Sequence, residues 1–135
     1  MWPRVNGLRS MELGTPGPIR ARLNALALAG RKTATTGLLA EYAEEGESLE
    51  QPGERLALTD DGGESVGVIE ITGVEVKPFA EVTWEHAHAE GEGDASLEEW
   101  RTGHVGYWAR LGTRVEDDTP VVCLAFRLVG HGKAT

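Results

Sequence analysis

The sequence predicts a single α+β domain, a small curled sheet or barrel of about five strands with flanking helices. Three observations lead there. Apolar residues recur at helical spacing near the front of the chain and again beyond residue 96. Runs with period-two alternation fill the middle and the end. Eighteen glycines and six prolines punctuate these runs as turns. A chain of 135 residues is one domain by size, with room for one core. With 40% hydrophobic and 26% charged residues it has the balance of a folded chain.

Each element follows from its residues. Residues 1–16 carry Pro, Gly and polar groups, with only Trp2, Val5, Leu8 and Leu13 available for packing, and read as a flexible arm. "PIRARLNALALAG" is a helix: Pro18 suits its first position, Ile19, Leu23 and Leu26 share a face, Arg20, Arg22 and Asn24 face elsewhere, and Gly30 sits where it ends. "TGLLAEYAEEG" reads as a second short helix, with Thr35 or Thr36 capping its start and Gly46 ending it. "RLALTD" and "SVGVIEITGVEVKP" are strands joined through the turn "DDGG", with a bend at Gly73 and a stop at Pro78. Thr83 starts a helix that Gly91 and Gly93 stop. Ser96 and Glu99 form a capping box for the next helix, whose face is Leu97, Trp100, His104, Trp108 and Leu111. "PVVCLAFRLVG" is the last strand, before the polar tail "HGKAT".

The composition excludes some classes. No apolar run approaches the about 18 residues of a membrane span, and the N-terminus lacks the apolar stretch of a signal peptide. The single cysteine, Cys123, allows no internal disulfide and fits a core position in a reducing cytoplasm. The net charge of −9 divides unevenly: residues 1–40 carry six Lys/Arg against Glu12 alone, or +5, and the remainder carries −14. A basic face built by the first third is therefore expected within an acidic protein.

Three groups carry chemistry. Lys32 and Thr35, at i and i+3 in "GRKTATTG", suit a base beside a nucleophile or an anion site, or else a surface lysine beside a capping threonine. In "HAHAEGEGD", His86 and Glu90 are four residues apart on one helical face. That arrangement suits a divalent cation with oxygen ligands, Mg²⁺ or Mn²⁺, or Glu90 acting alone as an acid or base, or else a solvated linker. In "SLEEWRTGHVGYW", Arg101 and His104 can reach a phosphate or form a structural pair. Trp100, Tyr107 and Trp108 supply either core or a stacking rim for a base.

The stretches "GRKTATTGL", "PF-x-EV", "AEGEGDASLEEWRTGHVGYW" and "VVCLAFRLV" resemble the ASCH-domain family, small proteins with a PUA-like β-barrel fold. The resemblance spans about residues 20–129 and implies an ASCH domain over 17–135, after the arm, with an RNA-related role. In a short bacterial branch of the family, Lys, Thr and Glu remove the acetyl group from acetylated cytidine. Its G-x-K-x-x-T run maps onto Gly30, Lys32 and Thr35, and its glutamate, in His-Ala-x-x-Glu, onto Glu90 after His86 and Ala87. A longer branch, with E-G-E-G-D and S-L-x-x-W-R-x-x-H, includes a metal-assisted ribonuclease acting on single-stranded RNA, and this sequence is nearer to it. Under that reading Arg31, Lys32 and Arg101 hold phosphates, His104 is an acid and Tyr107 stacks on a base. Glu90 is a base or, with Asp94, a ligand for Mn²⁺ or Mg²⁺. The expected partner is single-stranded RNA or a modified nucleoside, bound with or without turnover, and the sequence fixes no oligomeric state.

Overall fold

A computed structural model of the chain describes residues 1–131. Its six strands are β1 (Arg4–Val5), β2 (Leu8–Met11), β3 (Ala34–Leu38), β4 (Arg55–Thr59), β5 (Ser65–Pro78) and β6 (Pro120–His131). The four α-helices are α1 (Pro18–Leu28), α2 (Leu39–Glu45), α3 (Trp84–Ala89) and α4 (Leu97–Arg110). The strands form one mixed sheet in the order β1-β2-β4-β5-β6-β3. Its edge strands, β1 and β3, do not pair with each other, so the α+β class holds but the expected closure into a barrel does not. The polar tail beyond His131 lies outside the described residues.

The long antiparallel pair β5–β6 is the spine of the sheet. Its register shifts at Val68/Ile69 and again at Ile71/Gly73, the bend expected at Gly73. Alternate side chains of β6 feed two apolar clusters, as the two-residue period of a strand requires. Val122, Leu124 and Phe126 join Leu13, Leu23, Leu56, Leu58 and Tyr42. Val121 and Cys123 join Leu38, Phe79, Val82, Trp100 and Trp108. Burial pushes the Cys123 thiol up to about 11, in keeping with its core position. Among the described residues no helix is long and apolar enough to cross a membrane.

Three sequence readings change here. The first sixteen residues are not a free arm: β2 runs parallel to β4, and Leu13 is buried in the first cluster. Arg9, on β2, is buried and forks onto Glu54 at 2.9 Å while donating to the Ser48 carbonyl at 2.6 Å. Second, α1 buries Arg20 and Asn24 beside Leu23 and leaves Ile19 exposed. Arg20 donates to the carbonyls of Leu13 and Gly14, and Asn24 to that of Thr59. Loop carbonyls thus draw in two polar groups that periodicity alone assigns to solvent. Third, "ATTGL" is a strand rather than the first turn of a helix. Thr35 and Thr36 suit extended backbone, and β6 offers them an antiparallel partner. Removing residues 1–11 will strip β4 of its parallel neighbour. The thermal midpoint should fall by more than about 5 °C, the shift that about 2 kcal/mol produces in a domain of this size; a free arm would leave it unchanged.

Candidate active site

Two chain segments some sixty residues apart meet because one of them ends in glycine. After α1, Gly30 takes φ +75° and turns the chain, so that Arg31 and Lys32 donate their backbone N–H groups to the Leu26 carbonyl. The end of α3 then lies against this turn. Thr33 donates its N–H to the Ala89 carbonyl at 2.8 Å, and Gly91, at φ +69°, passes so close that a Cβ there would lie 2.2 Å from the Arg31 carbonyl oxygen. Only glycine fits. The result sets the Lys32 side chain beside Glu90, each 1% exposed.

Glu90 is surrounded by proton donors. Its Oε1 lies 4.0 Å from Lys32 Nζ and 3.2 Å from His104 Nε2. Its Oε2 accepts the Thr36 hydroxyl at 2.5 Å and lies 3.3 Å from His86 Nε2. One hydroxyl proton serves one acceptor, so with it on Glu90 the Nε2–H of His86 donates to Thr36 Oγ1, 2.7 Å away. His104 turns its Nδ1–H to the Trp100 carbonyl at 2.9 Å and stacks on the Trp100 ring at 4.0 Å. With both ring nitrogens donating, His104 is an imidazolium.

The titration of these groups follows. Burial by itself would raise the Glu90 carboxyl, but the hydrogen bonds from His104 and His86 and the Lys32 charge overcome it and hold Glu90 well below 4.5. Burial would likewise lower His104, but the Glu90 hydrogen bond and charge raise it above 6.5. Glu90 therefore contributes stability in full above about pH 4.5, lost as pH falls through its folded pKa. His104 contributes in full below about pH 6.5, and its share is lost as pH rises through its own.

This cluster forms one wall of a cleft of about 660 Å³, within the range of small-ligand sites. Lys32, Thr35, Glu90, Asp94, His104 and Tyr107 all line it. Thr35 is half-buried on β3, opposite Leu124, while Thr36 makes the contacts to Glu90 and His86. Burial pushes the Tyr107 phenol up.

Two expected phosphate ligands are not part of the cleft. Arg101 lies outside its lining and donates to the carbonyls of Ala80 and Val82, holding the 3-10 turn Phe79–Glu81 against α4. Arg31 is exposed, also outside the lining. Nor does the first third build a basic face. Arg4, Arg9 and Arg20 pair with Glu47, Glu54 and Asp61. Lys32 Nζ binds the Glu92 carboxylate at 2.9 Å, and Arg22 binds the Glu92 carbonyl at the same distance. Carboxylates dominate the lining: Glu12, Glu41, Glu50, Glu90, Glu92 and Asp94 against Arg22, Lys32 and Arg110.

A divalent cation does not suit these donors. Both Glu90 oxygens already face N–H or O–H groups, and Lys32 brings a positive charge to the same carboxylate. Among the described residues no three metal-type side chains converge on a point, so the expected Glu90–Asp94 pairing on Mn²⁺ or Mg²⁺ is not carried further. Thr36 and Glu92 are site members that sequence reasoning missed. The alternation of β3 carries the first, and no local signal marks the second.

Comparison with known proteins adds the following. The model of the ASCH domain matches residues 11–130. The crystal structure of an ASCH domain from Lactobacillus crispatus is similar at 29% identity over 92% of this chain and 82% of that one, with a TM-score of 0.78. Protein EF3133 from Enterococcus faecalis is similar at 29% identity over 89% of this chain and 75% of that one, also with a TM-score of 0.78. ASCH from Zymomonas mobilis, at 12% identity over 84% of this chain and 64% of that one, shares the fold with a TM-score of 0.50. Among curated proteins there is no match.

Two measurements check the geometry. In an NMR titration the His104 ring of the wild type will have its midpoint above 6.5, and Glu90→Gln will lower it, because burial is then opposed only by the Trp100 carbonyl and the Glu92 charge; an unchanged midpoint would break the assigned pairing. Gly91→Ala will lower the unfolding free energy by more than about 2 kcal/mol, from the left-handed backbone and the collision with Arg31 together, as read by denaturant titration.

Proposed function

The chain belongs to the ASCH-domain family, an RNA-related family, and on that premise we propose that it hydrolyses the amide of a small acylated nucleoside such as acetylated cytidine. One observation carries this reading: Lys32 and Glu90, both buried, meet at the wall of a cleft that Thr35 also lines. The sign of the cleft favours a monomer over a polymer. Its carboxylates repel a chain of phosphates, and neither Arg31 nor Arg101 is there to offset them. An uncharged nucleoside meets no such penalty.

Chemistry follows from moving one proton. The pair of Lys32 ammonium and Glu90 carboxylate holds as many protons as an amine and a carboxylic acid, the form that amide cleavage needs. The reaction starts from that second form, reached by moving one proton between two groups that are each 1% exposed. Lys32 then takes the Thr35 hydroxyl proton, Thr35 Oγ1 bonds to the acyl carbon, and the C–N bond breaks as Glu90 protonates the departing amine. Glu90 binds a proton weakly in its ring of donors, which makes it a strong acid once it holds one. Water next cleaves the threonine ester. Its proton goes to Glu90 and that of Lys32 returns to Thr35 Oγ1, so acid product is released and both groups are restored.

Purified protein incubated with acetylated cytidine will release cytidine, followed by chromatography. Lys32→Ala and Thr35→Ala will each lower kcat by at least about 100-fold, the lower end of what acid–base and nucleophilic groups supply. Thr36→Ala will lower it less, because that hydroxyl positions Glu90 and does not attack. No cytidine after prolonged incubation at high enzyme concentration would remove the proposal.

A further inference from the structure

The cleft that Lys32 lines also holds a buried acid that the proposed reaction does not use. Glu50 is 5% exposed and lines the cleft, as does Tyr42 beside it. The Tyr42 hydroxyl donates to Glu50 Oε1 at 2.7 Å. Burial and then this hydrogen bond push the Tyr42 phenol up, so it stays a donor. Trp2 packs edge-on against the Tyr42 ring at 5.0 Å and fixes its place.

Glu50 nevertheless lacks what buried carboxylates ordinarily have. It forms no ion pair within 4.0 Å among the described residues. Arg9, the cation whose charge reaches Tyr42, is held by Glu47 at 3.7 Å and Glu54 at 2.9 Å. A carboxylate takes about four hydrogen bonds; Glu50 accepts this one, and because neither of its oxygens is a buried atom without a partner, its remaining capacity is open to the cleft it lines.

Position gives the rest. Tyr42 belongs to the apolar cluster that holds Leu13 and Leu124, whereas Trp108 and Tyr107, neighbours of His104, belong to the other. Residues of both clusters line the cleft, and so do Lys32, Glu90, His104 and Glu50. We propose that Glu50, oriented by Tyr42, seats the half of the substrate that does not react, accepting a pair of uncharged O–H or N–H donors such as the vicinal hydroxyls of a ribose. Neutral donors suit it because they bring no phosphate into a carboxylate-lined space, and paired donors suit the two oxygens of one carboxylate. This inference rests on the nucleoside reading but concerns binding, so the two can fail separately.

The test measures acetylated cytidine, its 2′,3′-dideoxy analogue and the free acetylated base against wild type, Glu50→Gln and Tyr42→Phe, by calorimetric Kd and by KM and kcat. Glu50→Gln should weaken binding of acetylated cytidine at least ten-fold and raise KM more than it lowers kcat, and Tyr42→Phe should do the same to a smaller degree. If the sugar is the donor, the dideoxy analogue will bind the wild type as weakly as acetylated cytidine binds Glu50→Gln. If the base edge is the donor, the dideoxy analogue will keep its affinity and lose it in Glu50→Gln. The ligand-free thermal midpoint of Glu50→Gln should stay the same, since the Gln carbonyl still accepts from Tyr42; a merely structural carboxylate would lower it. Loss of binding in Glu50→Gln without turnover in any protein would support Glu50 and remove the hydrolase reading. Turnover with KM unchanged in Glu50→Gln would overturn this inference alone; absence of binding by the wild type to all three compounds, with no turnover, would overturn both.

Discussion

Burial of the Glu90 carboxylate is the constraint on which the rest of the site depends. A lone carboxylate this deep would take up a proton or draw in water. Here Lys32, His86, His104 and Thr36 surround it, and each comes from a different structural context: a helix exit, α3, α4 and β3. Satisfying one anion thus ties four parts of the chain together. Loss of the anion would leave the His104 imidazolium without its carboxylate and the Thr36 hydroxyl without its acceptor, so the elements that carry them depend on Glu90 as it does on them.

Glycine makes that convergence possible at the one place where backbone must meet backbone. The closest approach in the site is not between side chains but between Gly91 and the Arg31 carbonyl. Hydrogen bonds from Thr33 to Ala89 then lock the two segments in register. The Lys32–Glu90 pairing is a consequence of this main-chain contact, and so is the seat of Glu92, two residues on, against Lys32. The glycine-rich acidic stretch after α3 is therefore not a solvated linker. Its bends deliver carboxylates to a buried cation.

Much of this was legible in the sequence, for reasons that can be named. Pro18, Thr83 and Ser96 start helices, Thr83 and Ser96 accepting backbone N–H groups as caps, and the Gly30, Gly46 and Gly112 positions end them, because these effects act within a turn of chain. The face of Trp100, His104 and Trp108 was visible at spacings of four residues. Lys32, Thr35 and Glu90 came from resemblance and do line one cleft. What was not legible depended on distant partners. The strand character of Thr35 and Thr36 is decided by β6, some ninety residues later. The burial of Arg9, Arg20 and Asn24 is decided by carbonyls and carboxylates that only the fold brings near.

Charge shows best why local reading fails. An excess of +5 in residues 1–40 looks like a surface for a polyanion when read as composition. In the fold those cations meet the carboxylates of the other two-thirds one by one: Arg4 with Glu47, Arg9 with Glu54, Arg20 with Asp61, Lys32 with Glu92. An asymmetry along the chain becomes neutralisation within the molecule, and the surplus of −9 is left to the surface and the cleft. The buried ions thus bear on the cleft as well as on stability: the pairings that hold the sheet and helices together also take up Arg4, Arg9, Arg20 and Lys32, and carboxylates outnumber cations in the lining.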